Sequence, residues 1–309
     1  MRRGRLNRIA WITVIVLGLL APFAVYPVLM MELLCFALFA CAFNLLLGYS
    51  GLLSFGHAAF FGGAAYICGY AVTAWHLGPL QGILIGTAFA GGLGLVFGVL
   101  AIRRQGIYFA MITLALAQII FFLCLKMPFT GGEDGLQGVP RGMLFGFIDL
   151  NKPLNMYYTV FAIFMICFWL IWRAVNSPFG QVLSAIRENE ARAISLGYSV
   201  ERIKLLAFVL SATLAGTAGA TKSIVFQTAS LTDVSWHTSG EVILMTLVGG
   251  MGTLLGPVVG AFTIVGLQHE LSSIGSWVTV IIGLTFIVCV LVFRRGMVGE
   301  LTRLWKRSF

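Results

Sequence analysis

Apolar residues form long uninterrupted stretches along this chain. No Asp, Glu, Lys or Arg occurs in residues 33–102, 205–221, 242–269 or 271–293. About 20 apolar residues cross a bilayer as a helix, so the first stretch alone has room for several crossings. A transmembrane β-barrel would instead show segments of ~10 residues with alternating polarity, and the sequence has no such segments. The pattern predicts an all-α integral membrane protein.

About ten transmembrane helices are predicted, all within a single transmembrane domain over residues 1–309. The spans are 9–30, 32–49, 57–75, 80–102, 107–125, 155–172, 204–222, 239–250, 254–269 and 275–293. The eighth span is short, as a broken or re-entrant helix would be. The basic N-terminus and the apolar run to residue 31 resemble a signal peptide, but the run is too long and lacks a small-residue cleavage site. We therefore expect a retained first helix.

Charge is scarce in this sequence and unevenly placed. Only 10% of the residues are charged, against about 25% in soluble domains, which excludes an ordinary soluble protein. With the N-terminus inside and an even number of crossings, sixteen of the 20 Lys and Arg residues fall on the inner side, as the positive-inside rule requires. Both termini are therefore expected inside. The net charge of +9 is expected to meet anionic lipid headgroups rather than nucleic acid.

No motif in the sequence indicates nucleotide, metal or covalent chemistry. It lacks the G-x-x-x-x-G-K phosphate-binding loop, and its four histidines are too dispersed for an obvious metal site. The six cysteines lie in apolar stretches without a C-x-x-C pair, which indicates packing rather than redox chemistry. We predict a protein that is not an enzyme and binds no cofactor, so that any ATP is used by partner subunits.

Two segments between the predicted spans are long. The predicted outer loop, 126–154, is rich in turn-forming residues. The predicted inner segment, 173–204, is the only sizeable charged piece on its side, and residues 181–196 within it have the pattern of one amphipathic helix. The apolar stripe of this helix is Val182, Leu183, Ile186, Ala193 and Ile194, with Glu190 inside the stripe. Its charged residues are Arg187, Glu188, Glu190 and Arg192.

Glycines interrupt the apolar pattern at residues 48–57 (GYSGLLSFGH). A broken helix leaves backbone amides and carbonyls unpaired, which lipid tolerates only where protein or a water-lined cavity surrounds them. Free amides at a helix start suit a carboxylate. The predicted lining residues of a substrate path are Gly48, Ser50, Gly51, Ser54 and His57. The alternative is a tight helix crossing whose hydroxyls are satisfied internally.

A second glycine-rich break resembles the first. Residues 247–256 (LVGGMGTLLG) repeat the G-x-x-G pattern and the following glycine of residues 46–56 (LLGYSGLLSFG). Transport folds commonly contain duplicated halves with interrupted helices in matching positions. An internal duplication is therefore one interpretation, and chance similarity between Gly-rich membrane segments is the other. Gly249, Gly252 and Glu241, which opens the short span, join the candidates for the substrate path.

A few isolated charges lie at predicted span ends. They are Glu32, Lys222, Glu241 and Glu270. Such positions predict anchoring in the headgroups, with Lys222 reaching the outer interface. The span centres then hold no carboxylate, and this argues against an ion-coupled secondary carrier, because such carriers usually place one within a span.

Six segments together resemble the branched-chain amino acid ABC transporter permeases, with the best likeness to the M-type (LivM) family. They are residues 44–62 (NLLLGYSGLLSFGHAAFFG), 106–115 (GIYFAMITLA), 130–140 (TGGEDGLQGVP), 177–190 (SPFGQVLSAIRENE), 207–219 (AFVLSATLAGTAG) and 249–261 (GGMGTLLGPVVGA). They run in order over most of the chain, so the resemblance is specific to the family. It is not specific to the substrate, because permeases for urea and short-chain amides share these motifs.

The resemblance implies the permease fold of an ABC importer in a bacterial inner membrane. It implies three kinds of partner besides lipid and substrate: a second, H-type permease that completes the translocation path, two ABC ATPases, and a periplasmic substrate-binding protein. Residues 181–196 would be the coupling helix, and Arg187, Glu188, Glu190 and Arg192 would serve the ATPase contact. A secondary carrier and a membrane enzyme such as a lipid-modifying transferase remain the rival interpretations.

Overall fold

The computed structural model describes residues 18–22, 25–144, 146, 148–271, 277–292 and 296–300. Half of the first predicted span, 9–30, lies outside these residues, although 18–22 are helical. A separate helix begins at Pro27, where proline suits the first helical position because that N–H has no intrahelical partner. The predicted boundary at residue 31 between the first two spans is therefore wrong.

The described chain is mainly helical. Its helices and strands are α1 (Pro27–Asn44, continued by a π-helical turn, Leu45–Ser50), α2 (His57–Ala74), α3 (Pro79–Ala101), α4 (Ile107–Lys126), β1 (Leu136–Gln137), β2 (Met143–Leu144), β3 (Ile148–Asp149), α5 (Pro153–Val175), α6 (Pro178–Glu188), α7 (Glu190–Ser195), α8 (Val200–Phe226), β4 (Thr228–Ala229), α9 (Trp236–Gly249), α10 (Gly256–Leu271) and α11 (Trp277–Val292). Short 3-10 turns cover Pro128–Thr130, Gly132–Asp134 and Leu231–Val234.

Five described segments are long and apolar enough to cross a membrane. They are Pro27–Ser50, Pro79–Ala101, Ile107–Lys126, Pro153–Val175 and Val200–Phe226. The predicted all-α membrane architecture is confirmed. Helix α9 has only 14 residues and α10 only 16, so both are shorter than the ~20 residues of a full crossing.

Helix α8 lies at the centre and packs against α1, α2 and α3. Small residues bring these helices close together, as is usual where lipid replaces water around the bundle. A Cβ on Gly94 of α3 would lie only 2.5 Å from the Cβ of Ala212 on α8. By contrast, α3 and α4 expose large apolar side chains such as Leu84 and Phe122, as helices that face lipid do.

The two ends of the bundle differ in their polar structure. One end carries α6 and α7 and the turn with Arg103 and Arg104 between α3 and α4; we name it the arginine face. The other end carries the predicted outer loop, in which β2 and β3 form a hairpin; we name it the hairpin face. Strand β1 of the same loop pairs with β4, with Leu136 opposite Ala229.

The predicted single helix over residues 181–196 is wrong, because the chain breaks at Asn189. Its backbone there is extended (φ −157°, ψ 99°), which separates α6 from α7. The Asn189 side chain then accepts a hydrogen bond of 3.0 Å from the Arg192 amide and caps α7. The break also turns Ile194, a predicted member of the apolar stripe, outward to 58% exposure.

Candidate functional site

The predicted break at residues 48–57 is an irregular backbone segment. After the π-helical turn, Gly51 adopts φ +73°, a conformation that favours glycine. The Ser50 hydroxyl donates to the Leu46 carbonyl over 2.5 Å, and the Ser54 hydroxyl accepts from the Gly56 amide over 3.2 Å. Both serines are buried, and these hydrogen bonds satisfy their hydroxyls inside the protein.

The end of this segment docks against α4. The Phe55 amide donates to the Thr113 hydroxyl over 3.2 Å. A Cβ on Gly56 would lie 2.8 Å from the Thr113 carbonyl oxygen, so the close approach requires glycine. Helix α2 then begins at His57, and the Ser239 hydroxyl of α9 accepts from the Ala58 amide over 3.0 Å. Residues 52–57 of the break are thus buried or partly buried within the protein, as unpaired backbone in a membrane requires, whereas Gly51 is exposed.

His57 ties three helices together in the packed interior. Its Nε2 lies 2.8 Å from the Ser211 hydroxyl of α8, which donates to the Ala42 carbonyl of α1 over 2.5 Å. The rings of Phe43 and Phe208 meet the imidazole edge-on. With no exposed surface, His57 holds the helices in place and is not open to solvent.

The two glycine-rich breaks, about 200 residues apart in sequence, touch each other. The Asn44 side chain accepts from the Gly252 amide over 3.0 Å and donates to the Thr253 carbonyl over 2.9 Å. A Cβ on Gly48 would lie 2.7 Å from the Gly252 nitrogen. Gly249 lies against Gly256 in the crossing of α9 and α10. The two segments that resemble each other therefore form one structural unit.

Arg187 of α6 joins this unit from the arginine face. Its guanidinium donates a hydrogen bond to the Gly48 carbonyl. A Cβ on Gly51 would lie 3.2 Å from the Arg187 Cγ, and one on Gly252 would lie 3.3 Å from its Nη1. We name Asn44, Gly48, Gly51, Arg187 and Gly252 the glycine junction. The junction therefore brings Gly48, Gly51 and Gly252, which are predicted to line the substrate path, into contact with Arg187, which is predicted to serve the ATPase contact.

The other coupling candidates have different surroundings. Glu190 forms an ion pair of 2.7 Å with Lys204, whose side chain is 5% exposed. Glu188 and Arg192 are exposed. Sequence reasoning missed that apolar side chains beside them are exposed: Ile194, Leu196 and Tyr198 are 58%, 68% and 45% exposed. The sequence feature that could have indicated this exposed patch is the presence of apolar residues inside a charged segment on one side of the membrane.

Lys222 does not reach the outer headgroups, and that prediction is wrong. Its ammonium forms an ion pair of 2.5 Å with Asp233 and lies 5.1 Å from the centre of the Phe36 ring. Glu241 is half-buried and accepts from Gln268 of α10 over 3.1 Å. It therefore bonds within the protein and does not anchor in headgroups.

An apolar cleft of about 550 Å³ opens between α3, α5 and α8 below the β2–β3 hairpin. Its lining includes Ile83, Met156, Ile163 and Ile224. No residue of the glycine junction contributes to it. Because its walls are mainly apolar, the cleft offers few groups for a polar substrate.

Comparison with known proteins gives a consistent group of relatives. Residues 28–291 match the model of the family described as the permease component of the branched-chain amino acid transport system. The chain is 28% identical over 250 residues to the Escherichia coli high-affinity branched-chain amino acid transport system permease LivM, covering 72% of this chain and 58% of that protein. It is 31% identical over 152 residues to the Klebsiella pneumoniae autoinducer 2 import permease LsrC, covering 45% and 41%. Identity to the Escherichia coli ribose import permease RbsC is 25% over 222 residues, covering 69% and 65%.

The chain thus spans less than two thirds of the length of the Escherichia coli and Salmonella typhimurium LivM proteins that it matches. No solved structure matches it.

Proposed function

Because this chain belongs to the family of branched-chain amino acid transport permeases, we propose that it is one permease subunit of an ATP-driven importer of branched-chain amino acids. A second permease completes the translocation path with it. Two ATPases supply the energy, since this sequence has no phosphate-binding loop. A periplasmic binding protein delivers the substrate.

The arginine face is the cytoplasmic face in this proposal. It carries Arg103 and Arg104 and the charged segment with Arg187 and Arg192, and basic residues concentrate on the cytoplasmic side of membrane proteins. The exposed apolar side chains of Ile194, Leu196 and Tyr198 suit contact with a protein surface in water. This patch, together with α6 and α7, is the docking surface for an ATPase.

The glycine junction is the observation that carries the proposal. Arg187 belongs to a helix on the docking surface, and its guanidinium bonds the backbone of the first glycine-rich break. A displacement of α6 by an ATPase therefore moves the Gly48 carbonyl. Asn44 passes that movement to Gly252 and Thr253 in the second break. One helix on the surface thus controls two irregular backbone segments within the membrane.

The substrate assignment rests on the family and on the LivM likeness. Relatives named for import of ribose and autoinducer 2 show that similar permeases serve other compounds. Urea and short-chain amides are the second candidate class, because permeases for them share the motifs that this chain resembles.

A substrate panel tests the assignment. The complete transporter, assembled from this chain, its partner permease, the ATPases and the binding protein, is reconstituted in proteoliposomes containing ATP. Uptake of radiolabelled leucine, isoleucine and valine is expected, with little uptake of urea or acetamide. ATP-dependent uptake of urea alone would replace the amino-acid assignment with the amide one.

A further inference from the structure

The apolar cleft between α3, α5 and α8 has the length of one membrane leaflet. It begins where these helices meet the hairpin face, and Pro79, Asn155 and Ile224 line it there. Along α5 its wall continues from Asn155 to Ile166, which is about 16 Å at 1.5 Å per residue. Half of a hydrocarbon core of ~30 Å is about 15 Å. The cleft therefore follows the leaflet that borders the hairpin face.

The cleft opens toward the outside of the helix bundle. Ile148 at its hairpin end and Ile166 at its far end are 41% and 61% exposed, and Ala162 between them is exposed as well. Polar and charged residues of membrane spans face the protein interior, so a surface of exposed apolar side chains faces lipid. A lipid chain can therefore enter the cleft sideways from the membrane.

Polar groups in the wall of the cleft already bond within the protein. The side chains of Asn155, Thr159 and Thr221 each donate to a backbone carbonyl, over 3.0, 2.9 and 2.7 Å. The Tyr158 hydroxyl lies 3.5 Å from the Leu19 carbonyl oxygen. Because water in a cavity needs polar partners, this wall suits a hydrocarbon chain. The volume of about 550 Å³ is typical of small-molecule sites.

Two cations lie beside the hairpin end of the cleft. The Arg141 guanidinium donates to the Val225 carbonyl over 2.6 Å, next to the wall that α8 supplies. The following residue, Gly142, approaches the wall of α3, since a Cβ on it would lie 3.4 Å from the Pro79 Cδ. Lys152 is exposed and immediately precedes α5. Positive charge thus borders the cleft at the level of the lipid headgroups.

The charges of Arg141 and Lys152 are available to a ligand. Neither cation forms an ion pair with a residue that the structure describes. The Asp149 carboxylate, on the same hairpin, accepts from the backbone amide and the side chain of Asn151, over 2.9 Å each. The buried Arg141 Nε has no hydrogen-bond partner in that part of the chain, so the donors of the guanidinium are only partly used. Arginine and lysine are the side chains that bind phosphate.

We propose that the cleft binds one acyl chain of an anionic glycerophospholipid, with the phosphate group at Arg141 and Lys152. The length, the lateral opening and the apolar wall select the chain, and the two cations select the headgroup. The bound lipid joins the hairpin to α3, α5 and α8. This inference goes beyond the proposed function, because the lipid site is separate from the glycine junction and independent of the transported compound.

Lipid retention tests the cleft. The purified full chain is delipidated in detergent, exposed to phosphatidylglycerol and weighed by native mass spectrometry. Ala162→Trp fills the cleft from its exposed wall and should retain one phosphatidylglycerol fewer than the wild type. Ala88→Trp changes an exposed alanine of α3 outside the wall, so this matched control should retain the wild-type number. Equal retention by Ala162→Trp and the wild type would overturn the site.

Headgroup selectivity tests the two cations. The wild type should bind phosphatidylglycerol about tenfold more tightly than phosphatidylcholine, the scale of one charge-assisted hydrogen bond. The double variant Arg141→Gln, Lys152→Gln should bind the two lipids equally. Lys126→Gln, at an exposed lysine that ends α4 on the same face, should keep the preference. Equal affinity of the wild type for both lipids would contradict an anionic headgroup.

Thermal unfolding tests the site in a way that also reports whether each variant folds. A ligand that binds only the folded chain raises its Tm. Phosphatidylglycerol should therefore raise the Tm of the wild type and of Ala88→Trp, and leave that of Ala162→Trp unchanged in a cooperative transition. The same rise in Ala162→Trp would show that the lipid acts elsewhere on the surface and would overturn the site.

Discussion

The Arg187 side chain packs beside two glycines, Gly51 and Gly252, whose lack of a Cβ leaves room for it. Its side chain lies where a Cβ on Gly51 would come within 3.2 Å, and one on Gly252 within 3.3 Å. Its guanidinium also satisfies the Gly48 carbonyl, at the point where the π-helical turn departs from regular hydrogen bonding. A single side chain thus fixes the geometry of two breaks, and its removal should loosen both.

Arg187→Gln should therefore uncouple ATP hydrolysis from transport. The shorter, neutral side chain cannot hold the Gly48 carbonyl, and losing a hydrogen bond to a charged group costs about 1.5–3 kcal/mol. We expect leucine uptake per ATP hydrolysed to fall about tenfold or more while the protein still inserts and assembles. The measurement is the ratio of uptake to ATPase rate in proteoliposomes.

Arg202→Gln is the matched control, because Arg202 is an exposed arginine near the start of α8 and does not belong to the glycine junction. Its ratio of uptake to hydrolysis should equal that of the wild type. An unchanged ratio for Arg187→Gln would show that the junction does not couple the two activities.

At the scale of elements, the break between α1 and α2 combines a π-helical turn with the irregular segment 51–56. Gly51 is its pivot, with φ +73°. Residues with a side chain rarely adopt this conformation, and the neighbouring Arg187 leaves little room for one. Both the backbone conformation and the close packing therefore require glycine at residue 51.

Gly51→Val should abolish uptake, whereas Gly92→Val should reduce it little. Gly92 lies in α3, where an added Cβ meets nothing within 4 Å. Both changes add the same side chain to a membrane segment, so the uptake of each variant can be compared at equal expression and membrane insertion. Uptake of leucine by the complete transporter is the measurement. Equal activity in the two variants would contradict a special role for the break.

Sequence reasoning located most of the membrane elements because apolar runs and proline starts are local signals. The predicted span 155–172 lies within α5 (Pro153–Val175), and 107–125 lies within α4 (Ile107–Lys126). The break at Asn189 was missed, since a capping asparagine inside an amphipathic pattern also fits a continuous helix. The ion pair of Asp233 with Lys222 was missed because the position of Asp233 depends on packing against Gly62, 171 residues away in sequence.

The candidate site was predictable as a set of residues but not as an arrangement. Glycine spacing pointed to Gly48, Gly51 and Gly252, and charge on an amphipathic segment pointed to Arg187. The contact between Arg187 and Gly48 joins residues 139 positions apart, which one sequence does not reveal. The carboxylates of Asp233 and Glu241 lie in a turn between helices and in the second turn of α9, so neither occupies the centre of a predicted span.

At the scale of the whole molecule, the importer account competes with that of an ion-coupled secondary carrier. Such carriers usually place a carboxylate within a span to bind protons or cations. The two mechanisms differ in what drives uphill movement. An importer depends on ATP and its partner subunits, whereas a carrier works alone on an ion gradient.

Reconstitution with and without partners tests this difference most directly. The purified chain in liposomes, given a proton or sodium gradient, should show no concentrative uptake of radiolabelled leucine. Adding the partner permease, the two ATPases, the binding protein and internal ATP should produce uptake that persists when the gradients are collapsed. Gradient-driven accumulation of leucine by the chain alone would contradict the importer account and establish a secondary carrier.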